Sequence, residues 1–157
     1  MGLTFARLLS SDDQETLEPL DASYAQQFGL EPIVSRSSVS FYVRTGHAFV
    51  AVRNGQTVGF VLAQAVWNGT RPTVYVNRLN VPDPEDIGAR EALLEAVTKS
   101  AYDAAVYDLQ VQVPEADSGA AQALTVKDYA LRPEHVYRRV LGSRGQAAAT
   151  PKNPDNP

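Results

Sequence analysis

Apolar and polar positions alternate between residues 47 and 81, and recur every three or four residues on either side of that stretch. The alternating part, HAFVAVRNGQTVGFVLAQAVWNGTRPTVYVNRLNV, holds three runs separated by Asn54-Gly55 and Asn68-Gly69. Asn-Gly supplies the positive φ angles that tight hairpins need. The pattern therefore predicts an antiparallel meander of strands at 47–53, 57–67 and 73–81. The middle run places Val58, Phe60 and Leu62 on one side and Val61, Ala63 and Ala65 on the other. Apolar on both faces, it suits a central strand covered on both sides.

Before the meander, LTFARLL (3–9) alternates as a short strand. Leu17, Leu20, Tyr24 and Phe28 then share one helical face over 13–28, with N-cap candidates in Ser10, Ser11, Asp12 and Asp13. Pro19 inside that face is a point where the helix can kink or split. A second helix over 35–45 has Ser35 or Ser37 as its cap and Gly46 as its left-handed stop.

After the meander, VPDPEDIGAREALLEAV (81–97) opens a helix with Asp83 at the N-cap, Pro84 at N1 and acids in the first turn. Leu93, Val97, Ala101 and Ala104 form its stripe. YDLQVQV (107–113) alternates as a strand, parallel to 73–81 through a crossover. A helix over 117–127 starts at Asp117 or Ser118. EHVYRRVL (134–141) reads as a final strand, and the proline-rich tail 143–157 as disordered. The order is β-α-α-β-β-β-α-β-α-β in one domain, 1–142.

Composition narrows the functional classes. The 157 residues carry a net charge of −4 and lack cysteine. The acidic balance weighs against a nucleic-acid-binding domain. Two distant histidines and no thiol exclude a Cys- or His-rich metal site, and no metal is expected. No basic leader or long apolar run is visible, so the expected protein is cytoplasmic and does not meet a membrane.

This order, with RTGHAFVAV, VGFVLAQAVWNG, KSAYDAAVYD and RVLGSRG, resembles the GNAT superfamily of acyl-CoA N-acyltransferases, and within it a small bacterial domain family of unknown function. The resemblance covers about residues 3–141. It implies an α/β, GNAT-like fold, a mixed twisted sheet with helices on both faces. It implies acetyl-CoA as cofactor and a small-molecule or protein amine as acceptor. Backbone at Leu79, Asn80 and Val81 would pair with the pantetheine arm, and Ile87, Gly88, Ala89 and Arg90 would hold the pyrophosphate at the helix start. Aligned on Leu93-Leu94, the family's Gln/Arg-x-x-Gly-x-Gly/Ala loop becomes Glu85-Asp86-Ile87-Gly88-Ala89-Arg90. Gly88 matches. Glu85 reverses a charge, and Arg90 replaces a small residue. Glu85 and Asp86 would repel an anion and compete for its amides; Arg90 can bind phosphate or block its approach.

The family's glutamate base falls on Tyr75 here, and its tyrosine acid on Leu124, with Tyr129 or Tyr102 as spatial substitutes. Tyr75 and Tyr129 are the candidate catalytic residues. Other candidates have plain structural explanations. His47 reads as a base or a hydrogen-bonded structural histidine, Trp67 as pocket lining or packing. The acids of the first helix read as an amine attractor or a solvated face. Arg138 and Arg139 are expected to be edge-strand charges. Two functions follow. One is acyl-CoA-dependent N-acetyl transfer to an amine. The other is a catalytically degenerate GNAT domain serving as a ligand-sensing or protein-interaction module, with a homodimer among its assemblies.

Overall fold

A computed structural model describes residues 2–142 of the chain. The elements in order are β1 (Thr4–Leu8), a 3-10 turn (Ser11–Asp13), α1 (Gln14–Phe28), α2 (Arg36–Thr45), β2 (Phe49–Arg53), β3 (Gln56–Trp67), β4 (Pro72–Asn80), α3 (Ile87–Asp103), β5 (Leu109–Val111) and α4 (Ser118–Val126). One sheet orders the strands β1-β2-β3-β4-β5, antiparallel throughout except for the parallel pair β4/β5. Helices cover both faces. One core layer gathers Leu17, Val39, Tyr42, Val50, Phe60 and Leu62 beneath α1 and α2. The other gathers Val61, Val74, Val76, Leu79, Leu93 and Val97 beneath α3 and α4. This is the mixed sheet with helices on both faces that the family resemblance implies.

Two strand irregularities decide which side chains face which layer. Between β2 and β3 the register slips around Val58, since Ala51 faces Gly59 while Val52 faces Thr57. Val58 therefore packs with the Val61 layer, not with Phe60 and Leu62 as strict alternation predicts. Between β3 and β4, Leu62 faces Arg78 while Ala63 faces Val76, so Asn77 is the extra residue. That shift keeps Val74, Val76, Leu79 and Val81 on the α3/α4 face. It turns Arg78 and Asn80 toward α1, where they bond Asp21 and the Leu20 carbonyl.

Local signals account for most element ends. Ser10 and Asp13 form a capping box, and Ser35 caps α2 through Ser38 N. Gly29 and Gly46 stop α1 and α2 in the left-handed conformation. Pro19 stays inside an unbroken α1. The crossover helix begins later than expected: Asp86, not Asp83, caps α3, and Ile87 is its first residue. Ala104 lies beyond the helix end and does not join the stripe. No strand forms over 134–141, because that segment bonds to no neighbouring strand among the described residues. The expected disordered tail, 143–157, lies outside the described residues. No helix among them is long and apolar enough to cross a membrane.

Candidate functional site: the parting of β4 and β5

β5 pairs with β4 only at Val74–Leu109, Tyr75–Gln110 and Val76–Val111. β4 runs on to Asn80, still paired with β3 through Phe60, so the two parallel strands part above Val76. A strand end, a loop and a helix start converge at this opening.

The loop is filled from inside. Arg90, only 2% exposed, turns its guanidinium back into the turn it follows. Its Nη1 donates to the carbonyls of Asp83 (3.0 Å), Pro84 (3.3 Å) and Asp86 (3.1 Å), and its Nη2 to that of Val81 (3.2 Å). Asp117 Oδ1, the cap of α4, stands 3.9 Å from Nη2. In a trans peptide the C=O and the following N–H point in opposite directions. Carbonyls drawn inward therefore turn their amides away, and after Val81 and Asp83 the next residues are Pro82 and Pro84, which have none. Four of the remaining donors are engaged. Glu85 N donates to Asp83 Oδ1 (2.9 Å), Asp86 N to Asp83 O (3.1 Å), Ile87 N to Glu85 O (3.0 Å) and Ala89 N to Asp86 Oδ1 (3.0 Å). The capping carboxylate is itself clamped. Arg53, at the end of β2, grips Asp86 through two bonds of 2.9 and 2.7 Å and holds Thr4 Oγ1 with its Nε. The Arg53 bond holds the Asp86 carboxyl below its ordinary pKa against the opposing effect of burial.

Beneath the opening lies a buried polar chain. Tyr24 OH donates to Asp117 Oδ2 at 2.6 Å, and Ala120 N donates to Asp117 Oδ1 at 3.1 Å. Burial first, then the bond to Asp117, raises the Tyr24 phenol far above its usual range, so it stays a donor. Arg78 donates to Asp21 Oδ1 (3.0 Å) and the Glu31 carbonyl (2.8 Å), and its guanidinium lies 5.9 Å from the Tyr24 ring centre. Asp21 also accepts from the amides of Ile33 and Val34. Asn80 donates to the Leu20 carbonyl, while its Oδ1 is buried without a partner.

The candidate residues divide between two sides of the sheet. Tyr75 alternates with Val74 and Val76 and so faces the α1/α2 side. Its hydroxyl donates to Gln112 Oε1, just past the end of β5. Tyr129 packs on the α3/α4 core and lines an open groove of about 530 Å³ with Leu94, Thr98 and Tyr102. The two phenols do not meet. Burial raises the pKa of each, which suits donation rather than base catalysis at neutral pH. Leu79 and Val81 are core residues, Asn80 is bonded to α1, and Ile87 is exposed beside a cleft of about 70 Å³ between α3 and α4. Gly88 and Ala89 lie in the first turn of α3, Ala89 beneath its cap.

His47 is a packed histidine. Ser100 Oγ donates to Val97 O at 3.0 Å, which leaves it to accept from His47 Nδ1 at 2.8 Å, and burial lowers the imidazole pKa. Trp67 projects into solvent at the end of β3. The first helical segment is not wholly a solvated acidic face, because Asp13 pairs with Arg7 and Asp21 is buried on Arg78. Sequence reasoning gave Tyr24 and Asp117 only a helix face and a cap, and missed Arg53 and Arg78. One signal was present: an arginine buried within the strand VYVNRLNV needs an acid opposite it.

The fold matches known structures closely. TTHA1254 (wild type) from Thermus thermophilus is 36% identical, with 88% of this chain and 98% of that chain covered and a TM-score of 0.73. A ribosomal-protein-alanine N-acetyltransferase from Brucella melitensis biovar Abortus 2308 is 19% identical over 87% and 99% of the two chains, TM-score 0.68. A predicted acetyltransferase from Clostridium acetobutylicum, solved with acetyl-CoA, is 12% identical over 87% and 96%, TM-score 0.66. At these last two identities the likeness is one of fold. No curated protein matches the chain. The family model for a protein of unknown function, DUF1999, matches residues 5–152. The chain is thus a member of the DUF1999 family, built on the GNAT acetyltransferase fold.

Proposed function

We propose that this chain is a GNAT-fold domain that does not hold acyl-CoA through its β4–α3 loop, and that it serves as a ligand-sensing or protein-interaction module. The observation that carries this reading is the Arg90 guanidinium ligated by four loop carbonyls. A pyrophosphate needs outward-facing amides at a helix start. This loop has two prolines, amides engaged by Asp83 and Asp86, and a cation built into its interior. The residues present do not fit the anion. Tyr75 and Tyr129, on opposite sides of the sheet, also do not form an acid–base pair. Calorimetric titration with CoA and with acetyl-CoA tests the reading. No binding heat is expected at millimolar ligand; a micromolar dissociation constant would overturn it.

A second reading, acyl-CoA-dependent transfer to an amine, is supported by the parting of β4 and β5 and by acetyl-CoA in a structure of the same fold. It requires Arg90 to leave the loop. A crystal structure grown with acetyl-CoA would then hold the cofactor between β4 and β5, with Arg90 displaced.

A further inference from the structure

β1 is the first strand in the sheet order, and nothing among the described residues pairs with its outer edge. The register shows which of its backbone groups face outward. One step beyond the Leu8–Phe49 pair, Leu9 N donates to the carbonyl of Ala48, directly opposite it, at 2.9 Å. Bonded and non-bonded pairs alternate along an antiparallel ladder. Phe5, Arg7 and Leu9 therefore turn their amides and carbonyls toward β2, while Thr4, Ala6 and Leu8 turn theirs away from the sheet. The Asn54-Gly55 hairpin agrees. Arg53 and Gln56 close it as a bonded pair, so Arg53 spends its backbone groups on β3 and leaves those of Thr4, opposite it, free.

An unpaired edge is a template for another strand, and proteins blunt it with lysines, prolines, bulges or a covering loop. β1 has none of these among the described residues. TFARL carries one charge, and Arg7 is held on Asp13 by bonds of 3.0 and 2.7 Å. The pairing with β2 is regular from Thr4 to Leu8. Large apolar side chains stand in solvent along this edge: Leu3 is 85% exposed, Phe5 51% and Leu8 58%. Leu3 and Phe5 lie on the α1/α2 side with Leu9, and Leu8 on the α3/α4 side with Ala6. Apolar exposure clustered in this way marks an interaction surface.

We propose that β1 pairs antiparallel with β1 of a second copy, about a two-fold axis through Ala6, joining the two sheets into one. The strand is complementary to itself in this register, which is why a second copy is the occupant. Thr4 meets Leu8 of the second copy and Ala6 meets Ala6, so every outward-facing residue of β1 finds a bonded partner. A slip of two residues in either direction leaves Thr4 or Leu8 of each copy without one. The side chains agree with the backbone. On the α1/α2 side Phe5 lies opposite Arg7 of the second copy, so the two arginines do not face each other and each guanidinium meets a ring. The two Phe5 rings are diagonal neighbours within aromatic reach. On the other side, the small Ala6 pair occupies the axis, flanked by Thr4–Leu8 pairs. This inference does not rest on the reading of the β4–α3 loop and holds whether or not the domain binds CoA.

The test uses the full chain. Analytical ultracentrifugation should give a dimer for the wild type and a monomer for Leu8→Lys, which charges the outer edge without touching a bond to β2. Phe5→Lys, which sets cations opposite each other across the axis, should act the same way. Both side chains are exposed, so circular dichroism should show the fold intact in each variant. The chain has no cysteine, so an equimolar mixture of Thr4→Cys and Leu8→Cys copies reports the register. Opposite Cα atoms in a bonded pair lie about 5.5 Å apart, within disulfide range, and oxidation should yield the mixed dimer. Neither variant should cross-link with itself, because like positions lie far out of register. The Ala6 amide should exchange slowly in the wild type and fast in Leu8→Lys, while the Arg7 amide stays slow in both. A wild type that stays monomeric at hundreds of micromolar overturns the proposal. So does a dimer that survives both lysine variants, or a Cys variant that cross-links with itself instead of in the mixture. An Ala6 amide protected in a monomer would show that the chain covers its own edge, and would also overturn it.

Discussion

Arg90, which the sequence aligns with a small residue of the GNAT loop, fixes the local chemistry through its side chain. Its guanidinium is fully enclosed, and four carbonyls depend on it. Removing a buried charge that satisfies several partners costs about 3 kcal/mol or more. Arg90→Ala should therefore lower the urea midpoint by that equivalent, with no compensating gain in CoA affinity. Asp86 gives a separate, pH-dependent test. Arg53 depresses its pKa in the folded state. Its contribution is thus fully present above the unfolded value, near 4, and is lost as pH falls through the folded value. Asp86→Asn should be less stable than wild type at pH 7, and the two denaturation curves should converge in acid. The sequence identified Arg90 as a departure from the family loop and named Asp86, with Glu85, as a competitor for its amides. It did not reveal that the arginine turns inward, because that depends on Gly119 and Asp117, almost thirty residues later.

At the scale of elements, two glycines hold equivalent positions near the starts of α3 and α4 and should respond oppositely to alanine. An added Cβ at Gly88 would meet nothing nearer than Arg53 Nη2 at 3.5 Å, an ordinary contact. Gly88→Ala should be neutral or stabilise by up to about 1 kcal/mol through helix propensity. At Gly119 the same Cβ would lie 2.9 Å from the Arg90 guanidinium and 3.0 Å from the Pro84 carbonyl. Neither neighbour can yield, since the guanidinium is held by four bonds. Gly119→Ala should cost about 1–3 kcal/mol in chemical denaturation, and the penalty should shrink in an Arg90→Ala background, as it does for sites in contact. Elements with strong local signals were legible in the sequence, notably α2 with its Ser35 cap and Gly46 stop. The bulges at Val58 and Asn77 were not. One extra residue reverses every later side chain, and only the cross-strand partner reveals it. Asn77 therefore decides that Arg78 faces α1, and with it the buried polar chain that sequence reasoning missed.

For the molecule as a whole, fold and site point in different directions. Strand order, the parallel β4/β5 pair and the two helical layers are those of acetyltransferases. Periodicity and turn residues specify that architecture, so it was readable along the chain. The loop between β4 and α3 joins β2, α3 and α4 through Arg53, Asp86, Arg90 and Asp117. The conflict can be measured as linkage between ligand and stability. A ligand that binds only the folded state and is present at a thousandfold its dissociation constant stabilises by about 4 kcal/mol. For a chain of this size each kcal/mol raises the melting temperature by roughly 2–4 °C. Acetyl-CoA at millimolar concentration would thus raise Tm by about 10 °C if its affinity were micromolar. The expected result is no shift, in wild type and in Gly88→Ala alike. A shift of that size in wild type would mean that Arg90 gives way to the pyrophosphate. The loss of four carbonyl bonds and the separation of Arg90 from Asp117 would then be part of the measured affinity, leaving binding weaker than in a loop that carries a small residue at this position.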